Sequence, residues 1–304
     1  MARVCLVLTL IGLITLLGAS CTSKPAVSTF VVDDIAVLPA LQELVPGMNR
    51  LSFGVFDKDG NLLELNTATV KMFYLEGDKS TPKGQYQATY YKMHIGIPDV
   101  HPDGTSETHT EVRGFYLVPQ VNFDKVGVWQ AQITAVVNGT PKTAPLVLQV
   151  VNKTDTPAVG APAPASKNLT VRDVKDISEL TSRTPPEPLF HQVSVSEALQ
   201  AHRPFVVTFS TPSFCVSRMC GPVLEIVRSI AVQTKNVDFI QIEPYDLALA
   251  RSKGQLQLVP AAQQWGLHSE PWVFVVDTQG KISAKFEGLL TPEELLIAVQ
   301  RVTQ

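Results

Sequence analysis

The chain has 304 residues, 45% of them hydrophobic and 17% charged, with a formal net charge of -3. That length sets a prior of two domains, and the composition is that of a globular protein. A pI near 6.1 and the lack of any lysine or arginine run leave no basic patch, which excludes a nucleic-acid partner.

Arg3 is followed by an apolar run over residues 4–17, then by the small residues Gly18, Ala19 and Ser20 ahead of Cys21. The run falls short of the ~20 apolar residues that span a bilayer, so it reads as a cleaved export signal. It resembles a bacterial lipoprotein signal peptide, with Gly18 where that pattern usually has leucine and Leu17 one place earlier. The resemblance implies a diacylglycerol on Cys21. Removing the signal takes Cys5 with it and leaves Cys21, Cys215 and Cys220, an odd number for an oxidising compartment; lipidation of Cys21 leaves one pair. The expectation is a signal peptide over 1–20, a polar tether over 21–30, and a lipid anchor holding the protein on the extracytoplasmic face of a bacterial membrane.

Residues 31–151 carry strand signals and little helical periodicity. Alternating runs fall at 50–57, 68–75, 87–95, 112–123, 126–137 and 144–151, and Asn138-Gly139 between the last two is a hairpin signal. About seven short strands predict an all-β immunoglobulin-like sandwich. Residues 114–151, with Phe115-Tyr116 and Gly127-Val128-Trp129, resemble the last strands of periplasmic sandwich domains of the copper-resistance type. Met48, Met72, Met93, His94, His101 and His109 offer ligands that suit copper. They lack the tight spacing of a ligand motif, so they read as core filler and loop residues; no metal and no cofactor is expected.

Residues 152–189 begin with a Pro/Ala/Thr-rich stretch, expected to be an extended linker and lead-in. Residues 190–304 give an α/β order. A helix capped by Ser194 or Ser196 precedes a buried strand over 205–209, a cysteine loop, and a helix from Cys220. A strand over 237–242, an insertion, a strand over 270–277 and a hairpin at 277–280 follow. The last helix has Thr291 as its cap and Pro292 in its first turn.

Cys215 and Cys220 sit where that buried strand gives way to a helix, with Arg218 between them. Backbone N–H groups and the helix dipole favour a thiolate there. Residues five apart on a regular helix are rotated by about 140° and separated by roughly 7.5 Å along the axis, beyond the ~7 Å limit for a disulfide. A bonded pair therefore requires Cys215 in the loop or in a distorted first turn.

This third region resembles the thioredoxin fold in its order of elements. Cys220-Gly221-Pro222-Val223 is similar to the family's CGPC with the second cysteine replaced, and the segment ending in Glu270-Pro271 is similar to the one that carries its cis-proline. The resemblance implies a cis Pro271 facing the cysteines, with Glu270, Pro271 and Arg218 in a substrate groove. Thr208 stands where many relatives bury an acid, and Phe214 and Met219 precede the cysteines instead of tryptophan.

Three functions follow. One is a membrane-anchored thiol-disulfide oxidoreductase, acting on protein thiols or disulfides with an unidentified redox partner, in which one thiolate attacks and the other resolves the mixed disulfide. The others are a non-catalytic binding module stapled by a structural disulfide and a copper-handling protein. The first is favoured, with Cys215 as nucleophile; the CGPV alignment would instead make Cys220 the attacking residue.

Overall fold

The computed structural model describes residues 31–100, 106–215 and 217–304. Cys21 and the expected signal peptide and tether lie outside the described residues. Eight strands come first: β1 (Val31–Val32), β2 (Ile35–Pro39), β3 (Gly47–Asp57), β4 (Thr67–Glu76), β5 (Lys79–Val100), β6 (Ser106–Phe123), β7 (Gly127–Val137) and β8 (Thr140–Val150). They form one antiparallel sheet in the order β1-β2-β3-β6-β5-β4-β7-β8. The sheet curls until β1 and β2 lie against β8. There Val151 donates its N–H to the Leu44 carbonyl at 2.9 Å, and Lys142 Nζ meets Asp34 at 3.2 Å. Near-closure of this kind shields the edge strands. Asn138 and Gly139, both at positive φ, make the β7–β8 turn.

Side-chain alternation fills the inside of this curled sheet. On β7, Trp129, Ala131, Ile133 and Ala135 point inward and are fully buried, the period of two that a pleated strand imposes. Trp129 meets Phe123 edge-on at 5.0 Å and donates its indole N–H to the Lys125 carbonyl. From Phe115 to Val118 strand β6 is apolar on both faces because both are covered. Tyr116 and Val118 belong to the interior core, whereas Phe115 and Leu117 pack outward into a second core shared with the C-terminal half.

That half contains α1 (Val195–Gln200), β9 (Phe205–Phe209), α2 (Cys220–Ala231), β10 (Asp238–Ile242), α3 (Leu247–Lys253), α4 (Pro260–Gln264), β11 (Trp272–Val276), β12 (Ile282–Glu287) and α5 (Pro292–Val302). Ser194 and Thr291 close capping boxes at α1 and α5. The sheet order is β10-β9-β11-β12; only β9 and β10 run parallel.

The expected fold class, an immunoglobulin-like sandwich followed by a thioredoxin-like α/β domain, is therefore corrected. The first eight strands make one barrel-like sheet rather than two packed sheets, since curling alone gives Trp129, Phe53, Tyr116 and Phe123 a closed interior. The C-terminal half is a small mixed sheet with short helices, the longest of 12 and 11 residues. Between β10 and β11 the chain makes helices of only 7 and 5 residues. Gly254, at φ 65°, ends the first and Pro260 starts the second, so no long crossover helix forms. The molecule is predominantly β.

The stretch expected to be a linker packs along the C-terminal sheet. Gly160 donates to the Ile282 carbonyl, Ile282 to Ala161, and Ala163 to Gly280, so these residues run along the β12 edge. Proline fits such an edge because it has no N–H to place in a ladder. Ser166, fully buried, accepts the Trp265 indole N–H at 3.1 Å and donates to Gln264. Lys285 Nζ gathers Glu43, Thr154 and Thr156, and Arg50 bonds Glu294 and the carbonyls of Glu287 and Leu289. These bonds tie the curled sheet, the strap and the mixed sheet together.

Candidate functional site: two cysteines and a carboxylate

Strand β9 is buried along its whole length, and the chain leaves it at Ser210 and Thr211 to begin the cysteine loop. Ser213 fixes that loop by donating its hydroxyl to the Ser182 carbonyl at 2.8 Å and its main-chain N–H to Ser182 Oγ at 3.1 Å. Phe214 N bonds the Thr211 carbonyl. Arg218 takes a left-handed φ of 57°, which turns the chain into α2 with Cys220 as its first residue.

This geometry sets the two sulfurs apart. Cys215 lies in the loop and is half-buried; Cys220 is fully buried, and both are free thiols. Cys215 Sγ accepts the main-chain N–H of Cys220 at 3.3 Å and lies 3.2 Å from Ser217 Oγ. A hydrogen bond from the Cys220 thiol is the largest influence on Cys215, aided by Ser217 and the Cys220 amide and opposed by burial and by Glu270; together they bring it down to about 6. Burial pushes the Cys220 thiol far up, and giving its proton to Cys215 adds to the effect. The geometry thus favours a thiolate on the half-buried sulfur and a thiol on the buried one.

Pro271 is buried and follows a cis Glu270–Pro271 bond; its carbonyl accepts the N–H of Gly288 at 3.0 Å. Ser217 Oγ donates to the Glu270 carbonyl at 3.3 Å, tying the loop to this segment. The Glu270 carboxylate and both sulfurs present ligand-type atoms within 4.8 Å of one another. Two thiols and a carboxylate have the donor chemistry of a site for a thiophilic cation, and they equally make a dithiol with an adjacent base. Arg218, in contrast, is exposed, and the largest influences on Cys215 are the Cys220 thiol, burial and Ser217.

Ser217 and Tyr245 were not singled out in the sequence. Tyr245 follows β10 and donates its hydroxyl to Glu270 Oε2 at 2.7 Å. Burial, and then the Glu270 bond, push its own ionisation up. Nothing in a lone tyrosine beside Pro244 announces this contact across 25 residues. Tyr245 also borders a cavity of about 640 Å³ whose walls include Leu169, Leu180, Gln241, Glu243 and Val259.

The methionines of the first unit do not gather into a site: Met72 is part of the interior core and Met93 of the shared core, while Met48 is exposed. The His94, His101 and His109 side chains lie outside the described residues. No protein-family model and no curated protein matches the chain.

Proposed function

We propose that the chain is a thiol-disulfide oxidoreductase that uses Cys215 as nucleophile and Cys220 as resolving cysteine. The observation that carries this reading is the asymmetry of the pair. The Cys215 sulfur is partly accessible and receives the Cys220 N–H at 3.3 Å, while Cys220 is sealed in the first turn of α2. In such an arrangement the exposed thiolate attacks a substrate disulfide and the buried thiol, held beside it, displaces the product. Glu270 and Ser217 border the sulfurs, with the cis Glu270–Pro271 bond next in the chain, and a protein thiol or disulfide entering there is the substrate class.

The short apolar segment before Gly18-Ala19-Ser20-Cys21 supports attachment by a lipid at Cys21 on the extracytoplasmic side of a bacterial membrane. Mass analysis of the mature N-terminus tests this: a diacylglyceryl Cys21 is expected, and an unmodified Cys21 or an intact Met1 end contradicts it.

Equilibration in glutathione redox buffers tests the activity. The couple is expected to interconvert reversibly between dithiol and disulfide in the folded protein, with one two-electron transition. A bond that resists reduction until the chain unfolds would instead make the pair a structural staple.

A further inference from the structure

The proton on Cys220 has to leave before that sulfur can attack. In the reduced protein the Cys220 sulfur lies within 4.8 Å of the Cys215 sulfur, where a thiolate on Cys215 accepts a hydrogen bond from it. Once Cys215 has bonded to a substrate sulfur it carries no charge and no longer serves as a base. The titratable groups around the buried thiol are then Glu270, on the segment leading into β11, and Tyr245, on the segment leading into α3. Arg218 is the charged residue of the cysteine loop and is exposed.

Tyr245 is a donor to Glu270, not a competitor for the proton, since its hydroxyl is committed to Oε2 at 2.7 Å. That bond fixes the carboxylate and leaves Oε1 without a hydrogen bond to Tyr245. A carboxylate oxygen lies within 4.8 Å of both sulfurs, a separation that one water or a small side-chain rotation bridges. General-base contacts are commonly longer than hydrogen-bond reach before substrate binds.

We propose, building on the oxidoreductase reading, that Glu270 is the base that accepts the Cys220 proton during resolution and that Tyr245 is its positioning residue. The Cys215 thiolate forms a bond to one sulfur of the substrate disulfide; the substrate S–S bond breaks, and the first product leaves as a thiolate that takes a proton from water. The Cys220 proton then passes to Glu270. The sulfur's electron pair forms the Cys215–Cys220 bond, the bond from Cys215 to substrate breaks, and the second product thiolate leaves and is protonated from Glu270 or water. Two electrons have moved from the dithiol to the substrate disulfide.

The test uses the reduced full chain with glutathione disulfide, acid-quenched at intervals, with the glutathionylated intermediate quantified by mass. Cys220→Ser serves as the fully blocked reference. With Glu270→Gln the adduct is expected to form at the normal rate or faster and to resolve about 100-fold more slowly at pH 7, within the range for loss of a general base. Its resolution rate should climb with pH where the parent protein's has levelled off. Glu270→Asp, which keeps a carboxylate, should recover most of the rate, and Tyr245→Phe should slow resolution without slowing adduct formation. Resolution by Glu270→Gln at the parent rate and with the parent pH profile would overturn the role of Glu270. If Cys220→Ser forms no adduct at all, the dithiol reading itself fails, and the proposal with it.

Discussion

The main-chain N–H of Cys220 points at the Sγ of Cys215 from 3.3 Å, so the first residue of a helix stabilises negative charge on the sulfur five positions before it. The Cys220 thiol adds the stronger hydrogen bond and brings Cys215 down to about 6. The thiolate absorbance of Cys215 should therefore titrate near pH 6, and its alkylation by iodoacetamide should reach a plateau above that pH. Cys220→Ala removes the thiol donor and keeps the N–H, so the midpoint should rise toward the ordinary thiol range of about 8.5. An unchanged midpoint in this variant would show that Cys220 does not hold the charge.

The packing of Phe115 against the C-terminal half predicts coupled unfolding. Phe115 is 1% exposed on the outward face of β6, in the core shared with Leu224, Val227 and Leu295. Phe115→Ala should cost about 3–5 kcal/mol and should destabilise both halves together in calorimetry. Loss of only the first unit, with the second melting unchanged, would show that the halves fold separately. The strap predicts the same coupling: native proteolysis should spare residues 152–168, which are bonded through Gly160, Ala161 and Ala163 to the backbone of Ile282 and Gly280. An early cut there, leaving two resistant fragments, would count against it.

Gly266 permits the strap to approach. Its φ is 64°, and a Cβ at this position would lie 2.2 Å from the Asp155 carbonyl oxygen. The left-handed backbone alone costs a non-glycine residue roughly 1–2 kcal/mol, and the collision adds to that. Gly266→Ala should lower stability by at least this amount in urea titration, and it should open the strap to protease. A neutral substitution would mean that the strap moves aside at no cost.

Burial holds His191 neutral, pushing it down to about 4, although Glu187 acts in the opposite direction. Its Nε2 has no hydrogen-bond partner among the described residues. The folded value lies below the ordinary 6.5, so the unfolded chain binds the proton more readily. Stability from this group is complete above about pH 6.5 and is lost as pH falls toward 4, by about 3 kcal/mol in full. His191→Leu should be less acid-sensitive than the parent across that window. Parallel stability curves for the two proteins would place the acid sensitivity elsewhere.

Local chemistry was legible in the sequence where it depended on near neighbours. The Thr291 cap, a serine cap for α1 narrowed to Ser194 or Ser196, the Asn138-Gly139 turn, and the loop and helix-start positions of Cys215 and Cys220 all follow from a few adjacent residues. What depended on distant partners was not legible. Alternation along β7 is the same for a strand in a sandwich and for one in a curled sheet, so it does not say whether Trp129 faces a second sheet or the far wall of its own. Prolines and alanines at 157–165 read as a tether because their bonding is made by backbone groups of Gly280 and Ile282, which leave no pattern in the strap's own side chains. Tyr245 joins the site only because β10 and β11 flank β9, so that the end of one and the start of the other lie on either side of Phe209.

Trapping of mixed disulfides tests the central claim, the division of labour between the sulfurs, most directly. Reduced Cys220→Ser and Cys215→Ser proteins are each exposed to glutathione disulfide, quenched in acid and weighed. The account predicts that Cys220→Ser accumulates a stable adduct on Cys215 and that Cys215→Ser forms almost none, because the remaining sulfur is buried and protonated. An adduct on Cys215→Ser alone would contradict the assignment by making Cys220 the nucleophile.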